Sequence, residues 1–97
     1  MIVCRVIGQA VSTVKDEGYR AAKLLLVVPT DATGATLEGA TPTVAYDTVG
    51  AGDGELVLVA QGSAARMAAR VDGPIDAATV AIVDSLSVEG RATYTRS

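Results

Sequence analysis

Leu24-Leu25-Leu26-Val27-Val28 is an unbroken apolar run that halts at Pro29. A strand with one face in water alternates polar and apolar residues, whereas a run without alternation calls for burial on both sides. Ile2 to Thr13 makes a similar demand. One face carries Ile2, Cys4, Val6, Gly8 and Ala10, the other Val3, Arg5, Ile7, Gln9 and Val11, and neither is consistently polar. With 97 residues the chain has room for one core. A chain of this size buries only about two-thirds of its unfolded surface on its own. Two strands that are apolar on both faces therefore need more cover than one small core provides.

The rest of the chain is cut into pieces of the same kind. Tyr19 to Val28 reads as the second strand, after a charged turn at Lys15-Asp16-Glu17-Gly18. Thr30 to Pro42, rich in Thr, Gly, Ala and Asp, reads as a surface loop with a hairpin tip near Ala32-Thr33-Gly34. Thr43 to Val49 and Glu55 to Gln61 are the third and fourth strands, separated by Gly50-Ala51-Gly52-Asp53-Gly54. The period then changes to helical. Ser63 is placed to cap a short helix whose stripe is Ala64, Met67, Ala68 and Val71. Arg66 and Arg70 lie toward its C-terminal end, where the helix dipole favours positive charge, and Gly73-Pro74 supplies the stop. Pro74 to Ala77 is a turn, Thr79 to Val88 the fifth strand, and Arg91 to Ser97 a polar tail.

Five short strands in an open sheet leave two exposed edges, and closure removes them. The expected fold is all-β: a five-stranded closed barrel with one short helix between strands 4 and 5, in a single domain over residues 1–97. The helix covers only part of the second apolar faces. Another copy of the same chain is the simplest remaining cover, which predicts a homo-oligomer.

Composition narrows the chemistry. There is no His, Trp or Phe, one Cys and three Tyr, and the formal net charge is −3. Missing His removes the commonest metal ligand and general base. One Cys excludes an internal disulfide and a Cys-rich zinc site. Five strands with a helix before the last also describe a barrel of the oligonucleotide-binding type, but the stacking aromatics and basic groove for that use are missing. No apolar run reaches the ~18 residues of a membrane span. The N-terminus reads as a strand rather than a signal peptide, so the expected location is the cytosol, with Cys4 reduced.

No motif rises to a catalytic, cofactor or metal site. The Gly50–Gly54 segment lacks the Lys-Ser/Thr ending of a phosphate-binding loop and leads into a strand; it reads as a turn needing unusual backbone angles, with ligand contact as the other reading. Asp53 and Glu55 make at most half a calcium site. Cys4 lies among apolar residues with no His to activate it. Arg66 reads either as a surface charge or as a contact across a subunit boundary.

Five segments, in order, resemble the EutN/CcmL family of microcompartment shell vertex proteins: Val6–Lys15 (VIGQAVSTVK), Lys23–Pro29 (KLLLVVP), Asp47–Val59 (DTVGAGDGELVLV), Gly62–Arg66 (GSAAR) and Pro74–Leu86 (PIDAATVAIVDSL). The chain departs from the family pattern at Ala22 and Ala81, where Gly is common, and at Val28, where Gln is common. The resemblance implies a barrel similar to the oligonucleotide-binding type, assembled as a homopentamer that caps the vertices of a polyhedral, carboxysome-like shell. It implies hexameric and pseudo-hexameric shell proteins as partners, no nucleic acid or membrane, no cofactor, and a place in a cytoplasmic shell. Gly50, Gly52, Gly54, Ser63 and Arg66 are the candidates for the subunit interface or five-fold axis. The alternative is a small barrel that binds a ligand or nucleic acid.

Overall fold

In β1 (Ile2–Ala10), Cys4 and Val6 are buried while the intervening Arg5 and the following Ile7 are more exposed, so alternate side chains enter the core. The computed structural model describes residues 1–10, 23–70 and 75–97. The expected continuation of the first strand through Thr13, the charged turn at 15–18, the start of the second strand and the Gly73-Pro74 stop lie outside these residues. β2 (Leu24–Pro29) pairs antiparallel with β1, and β3 (Thr43–Tyr46) pairs antiparallel with β2. β4 (Leu56–Gln61) leads into α1 (Ser63–Ala69), which is followed by β5 (Ala77–Ile82). The sheet order β1-β2-β3-β5-β4 closes on itself through β1–β4 pairing, from Ile2 opposite Val59 to Arg5 opposite Leu56. The barrel expected from the sequence is therefore present, with its helix between the fourth and fifth strands.

The core inside the barrel is built from Cys4, Val6, Leu25, Val27, Val57 and Val59, all at most 1% exposed, with Ala45, Ala51 and Ala77. Small and β-branched side chains suit so narrow an interior. The seam between β3 and β5 is parallel and has a single paired position, Tyr46 with Ala78. Side chains make up for the short ladder. The Thr48 backbone N–H donates to Thr79 Oγ1 (3.0 Å), the Thr48 hydroxyl donates to Thr79 O, and the Thr79 hydroxyl donates to Asp47 Oδ1 (2.9 Å). Thr79 is fully buried, and these bonds satisfy its hydroxyl.

Three expectations need correction. Gly62, not Ser63, is the N-cap of α1, and no side chain caps that end. The buried stripe of α1 is Ala65 with Ala68 and Ala69, packed on Ile75, Ala78 and Tyr46, whereas Ala64 is exposed and Met67 is 80% exposed. The observed stripe lies one position along from the expected one: the larger Met67 faces solvent, and small alanines pack against Ala78. Lastly, the strand expected over Thr79–Val88 breaks at Val83-Asp84. Its second half, β6 (Ser85–Val88), pairs with β7 (Arg91–Thr95) as a separate hairpin, so most of the supposed polar tail is strand. The hairpin turns at Glu89 and Gly90, both with positive φ (52° and 81°), the geometry of a two-residue loop that matches strand twist.

This hairpin and the loop after β2 supply part of the outer cover attributed above to another copy. Leu86 of β6, Leu37 of the loop, Pro29 and Val3 line a shallow groove of about 380 Å³ on the outside of the barrel. Apolar side chains still reach solvent elsewhere: Ile7 (48% exposed), Val44 (42%) and Met67.

Candidate assembly surface

The turn between β3 and β4 is organised by Asp47. Its side chain is 2% exposed. Oδ1 accepts from the backbone N–H groups of Val49 (3.1 Å), Gly50 (3.2 Å) and Ala51 (3.5 Å), besides the Thr79 hydroxyl. Lys23 Nζ lies 3.7 Å from Oδ2 and donates to Ala51 O at 2.9 Å, so one lysine ties the start of β2 to both the carboxylate and the turn. An Asp that gathers the N–H groups two and three residues on is a local turn former; here a buried strand residue and a cation join it.

Gly50 has φ 74°, which only glycine adopts without strain, and a side chain there would meet nothing within 4 Å. Gly54 has the same backbone sign, donates to Val6 O (2.8 Å) and accepts from Arg5 Nη1 (2.6 Å). Gly52 is different. Its φ is ordinary, its N–H donates to Glu55 Oε1 at 2.9 Å, and an added Cβ would lie 3.7 Å from that oxygen, a normal contact. The chain itself thus explains glycine at Gly50 and Gly54 but not at Gly52. Glu55 is further engaged by Arg96, whose Nη2 is 2.6 Å from Oε2. Asp53 and Glu55 therefore do not form a paired carboxylate site.

Ser63 and Arg66 lie apart from this turn, on the exposed side of α1 with Met67 and Arg70. Among the described residues Arg66 makes no ion pair, and no hydrogen bond joins α1 to the Gly50–Gly54 turn. The five candidates form two patches: a rigid acidic and glycine-rich turn, and a cationic, partly apolar helix face. Sequence reasoning missed Asp47, Thr79, Lys23 and Arg5, the residues that fix the first patch. The spacing Asp47-x-x-Gly50 was the available signal.

Among the described residues no group of three or more His, Cys, Asp or Glu is placed to hold a metal ion, and no helix is long and apolar enough to cross a membrane. Burial pushes the Cys4 thiol above its ordinary pKa, the opposite of what a nucleophile needs. At Asp31 the Thr33 hydroxyl and backbone N–H hold the carboxyl below its usual range.

Residues 1–84 match the family described as "Ethanolamine utilisation protein EutN/carboxysome". The carboxysome shell vertex protein CcmL of Nostoc sp. is 42% identical over 97 residues, covering 99% of this chain and 95% of that protein. Its structure superposes with a TM-score of 0.87, covering 99% of this chain and 100% of the other. The microcompartment shell vertex protein PduN of Salmonella typhimurium is 48% identical over 94 residues, 90% of this chain and 99% of the relative. The pentameric shell protein GrpN of Rhodospirillum rubrum superposes with a TM-score of 0.80 at 41% identity, covering 91% of this chain and 99% of the other.

Proposed function

This chain belongs to the EutN/CcmL family of microcompartment shell vertex proteins, and on that premise we propose that five copies close into a ring seated among hexameric and pseudo-hexameric shell proteins. Its role is structural: it is a vertex protein of a bacterial microcompartment shell. The observation that carries the reading is the end-to-end match of fold and sequence to vertex proteins. The physical logic agrees. A sheet of hexagons is flat, and a five-fold unit removes a wedge and forces curvature. The finished shell stands in the cytoplasm around its enzymes.

A cyclic ring uses a heterologous interface, so two different patches of each subunit meet. The two patches described above have the required difference. Arg66, Met67 and Ser63 present positive charge and apolar surface; the turn from Gly50 to Gly54 presents small residues and Asp53. We assign them to the subunit interface and the region near the axis, where space is limited and Gly52 has no reason within its own chain to be glycine.

Native mass spectrometry tests the reading. The expected species is five times the 9.8 kDa chain. Gly52→Leu is expected to leave the subunit fold intact and shift mass toward single chains, since within its own chain the added Cβ meets only an ordinary contact with Glu55. Retention of the parental mass in that variant removes Gly52 from the interface. Electron microscopy of shells made with and without the chain tests the vertex role; shells that close equally well without it defeat the assignment.

A further inference from the structure

Among the described residues the β6–β7 hairpin stands outside the barrel ladder, its strands pairing with each other and with no barrel strand. A lone two-stranded hairpin is marginal in water, so something must hold it. Three side chains at its C-terminal end do so. The Thr93 hydroxyl donates to Ala32 O in the loop after β2. The Tyr94 ring packs over Gly34, where an added Cβ would sit 2.9 Å from Tyr94 Cδ1 and 3.0 Å from Leu56 Cδ1. Arg96 grips Glu55, with Nη1 also 3.4 Å from Asp84 Oδ1. On the barrel side Arg5 joins the two loops under this contact: its guanidinium donates to Gly34 O and Gly54 O, both at 2.6 Å. At the root, Val83 N–H donates to Leu56 O (2.9 Å) and Arg96 N–H to Asp84 O (2.8 Å).

We propose that the hairpin is an arm with its own opening equilibrium, latched onto its own barrel by Thr93, Tyr94 and Arg96 and hinged at Val83-Asp84. The barrel ladder closes without it, so opening leaves the core intact. Opening uncovers Leu56, which is fully buried when the arm is latched, and removes Leu86 from the wall of the outer groove. Segments held by few ties open at lower free energy than the whole domain. In a shell, such an arm is the part of the subunit that changes its angle while the barrel stays fixed. The latch lies within one chain and does not depend on how many copies assemble.

Hydrogen exchange on the intact assembled protein tests this, with native mass measured on the same samples. Arg96→Ala removes an exposed side chain and leaves the core alone; Tyr94→Ala removes the central tie; Gly34→Ala blocks the notch. In the first two variants the β6 and β7 amides are expected to exchange at least tenfold faster, with those of β1, β2 and β4 within twofold of the parent at parental mass. The latch is overturned if hairpin exchange stays parental, if barrel and hairpin quicken together, or if the hairpin quickens only where the mass has dropped. Gly34→Ala is expected to quicken the hairpin as well; a parental hairpin rate in that variant removes the notch from the latch.

Discussion

Removing the Asp47 carboxylate should cost more than removing any charge on the surface. In Asp47→Ala four donors lose an acceptor at once. Water reaches the exposed Gly50 N–H, and the Ala51 contact is already long at 3.5 Å. The N–H groups of the buried Ala51 and half-buried Val49 and the Thr79 hydroxyl are shielded more, and Lys23 loses its counter-charge. Hydrogen bonds to a charged group contribute about 1.5–3 kcal/mol each and are not additive; the Lys23 pair, open to water on the lysine side, adds only about 0–1 kcal/mol. We therefore expect a loss of ~3–5 kcal/mol for Asp47→Ala. Asp47→Asn keeps an oxygen in place of Oδ1 and the side-chain shape, so it should lose only ~1–2 kcal/mol. At about 4–8 °C per kcal/mol for a domain this small, the alanine variant melts ~12–40 °C below the parent. The assay is urea unfolding at one fixed protein concentration, because association adds to apparent stability. The midpoint should move without a change in slope. An alanine variant within about 1 kcal/mol of the parent refutes the keystone role. An asparagine variant as damaged as alanine shows that charge, and not acceptor geometry, holds the turn.

Arg5→Lys should lower the unfolding free energy by ~1–2 kcal/mol and move the urea midpoint down accordingly, because a lysine cannot reproduce the fork that bonds two carbonyls from different loops; an unchanged midpoint contradicts that. The Cys4 thiol should react with a chromogenic disulfide only as fast as the protein opens, and at once in urea; prompt labelling of the native protein refutes its burial. The same thiol has its folded pKa raised, so its contribution is complete below the ordinary thiol value. Stability is then lost as pH climbs from there through the folded value, and a stability–pH curve that rises over that interval contradicts the assignment.

The barrel strands were legible because their signal is local. Leu24–Val28 has no alternation and a proline at its end, and Leu56–Val59 follows a glycine turn. What the sequence did not disclose was decided by contacts distant along the chain. The α1 stripe differs from the expected one because three alanines carry little hydrophobic weight, yet they are the side chains packed with Ala78 and Ile75. The break at Val83-Asp84 occurs where Val83 bonds Leu56 O, a partner that composition does not name. β7 reads as a tail from sequence because Arg91-Ala92-Thr93-Tyr94-Thr95 is polar, and the Glu89-Gly90 turn lacks the Asn or Asp that most often announces such a hairpin. Of the candidate site, the glycines were visible, but the carboxylate, lysine and threonine that fix their geometry lie at Asp47, Lys23 and Thr79, far apart in the chain.

The closed ring of β1-β2-β3-β5-β4 carries a consequence for crowding. Subunits gathered at a growing shell meet one another at high local concentration, where unpaired strand edges seed fibrils. Among the described residues every barrel strand has a neighbour on both sides, the β3–β5 seam through one paired position closed further by side chains. The hairpin's edges are four and five residues long, and its register slips between Leu86 and Ser87. A template that short and uneven does not propagate, so encounters between copies are steered away from amyloid-like stacking and toward side-chain fit.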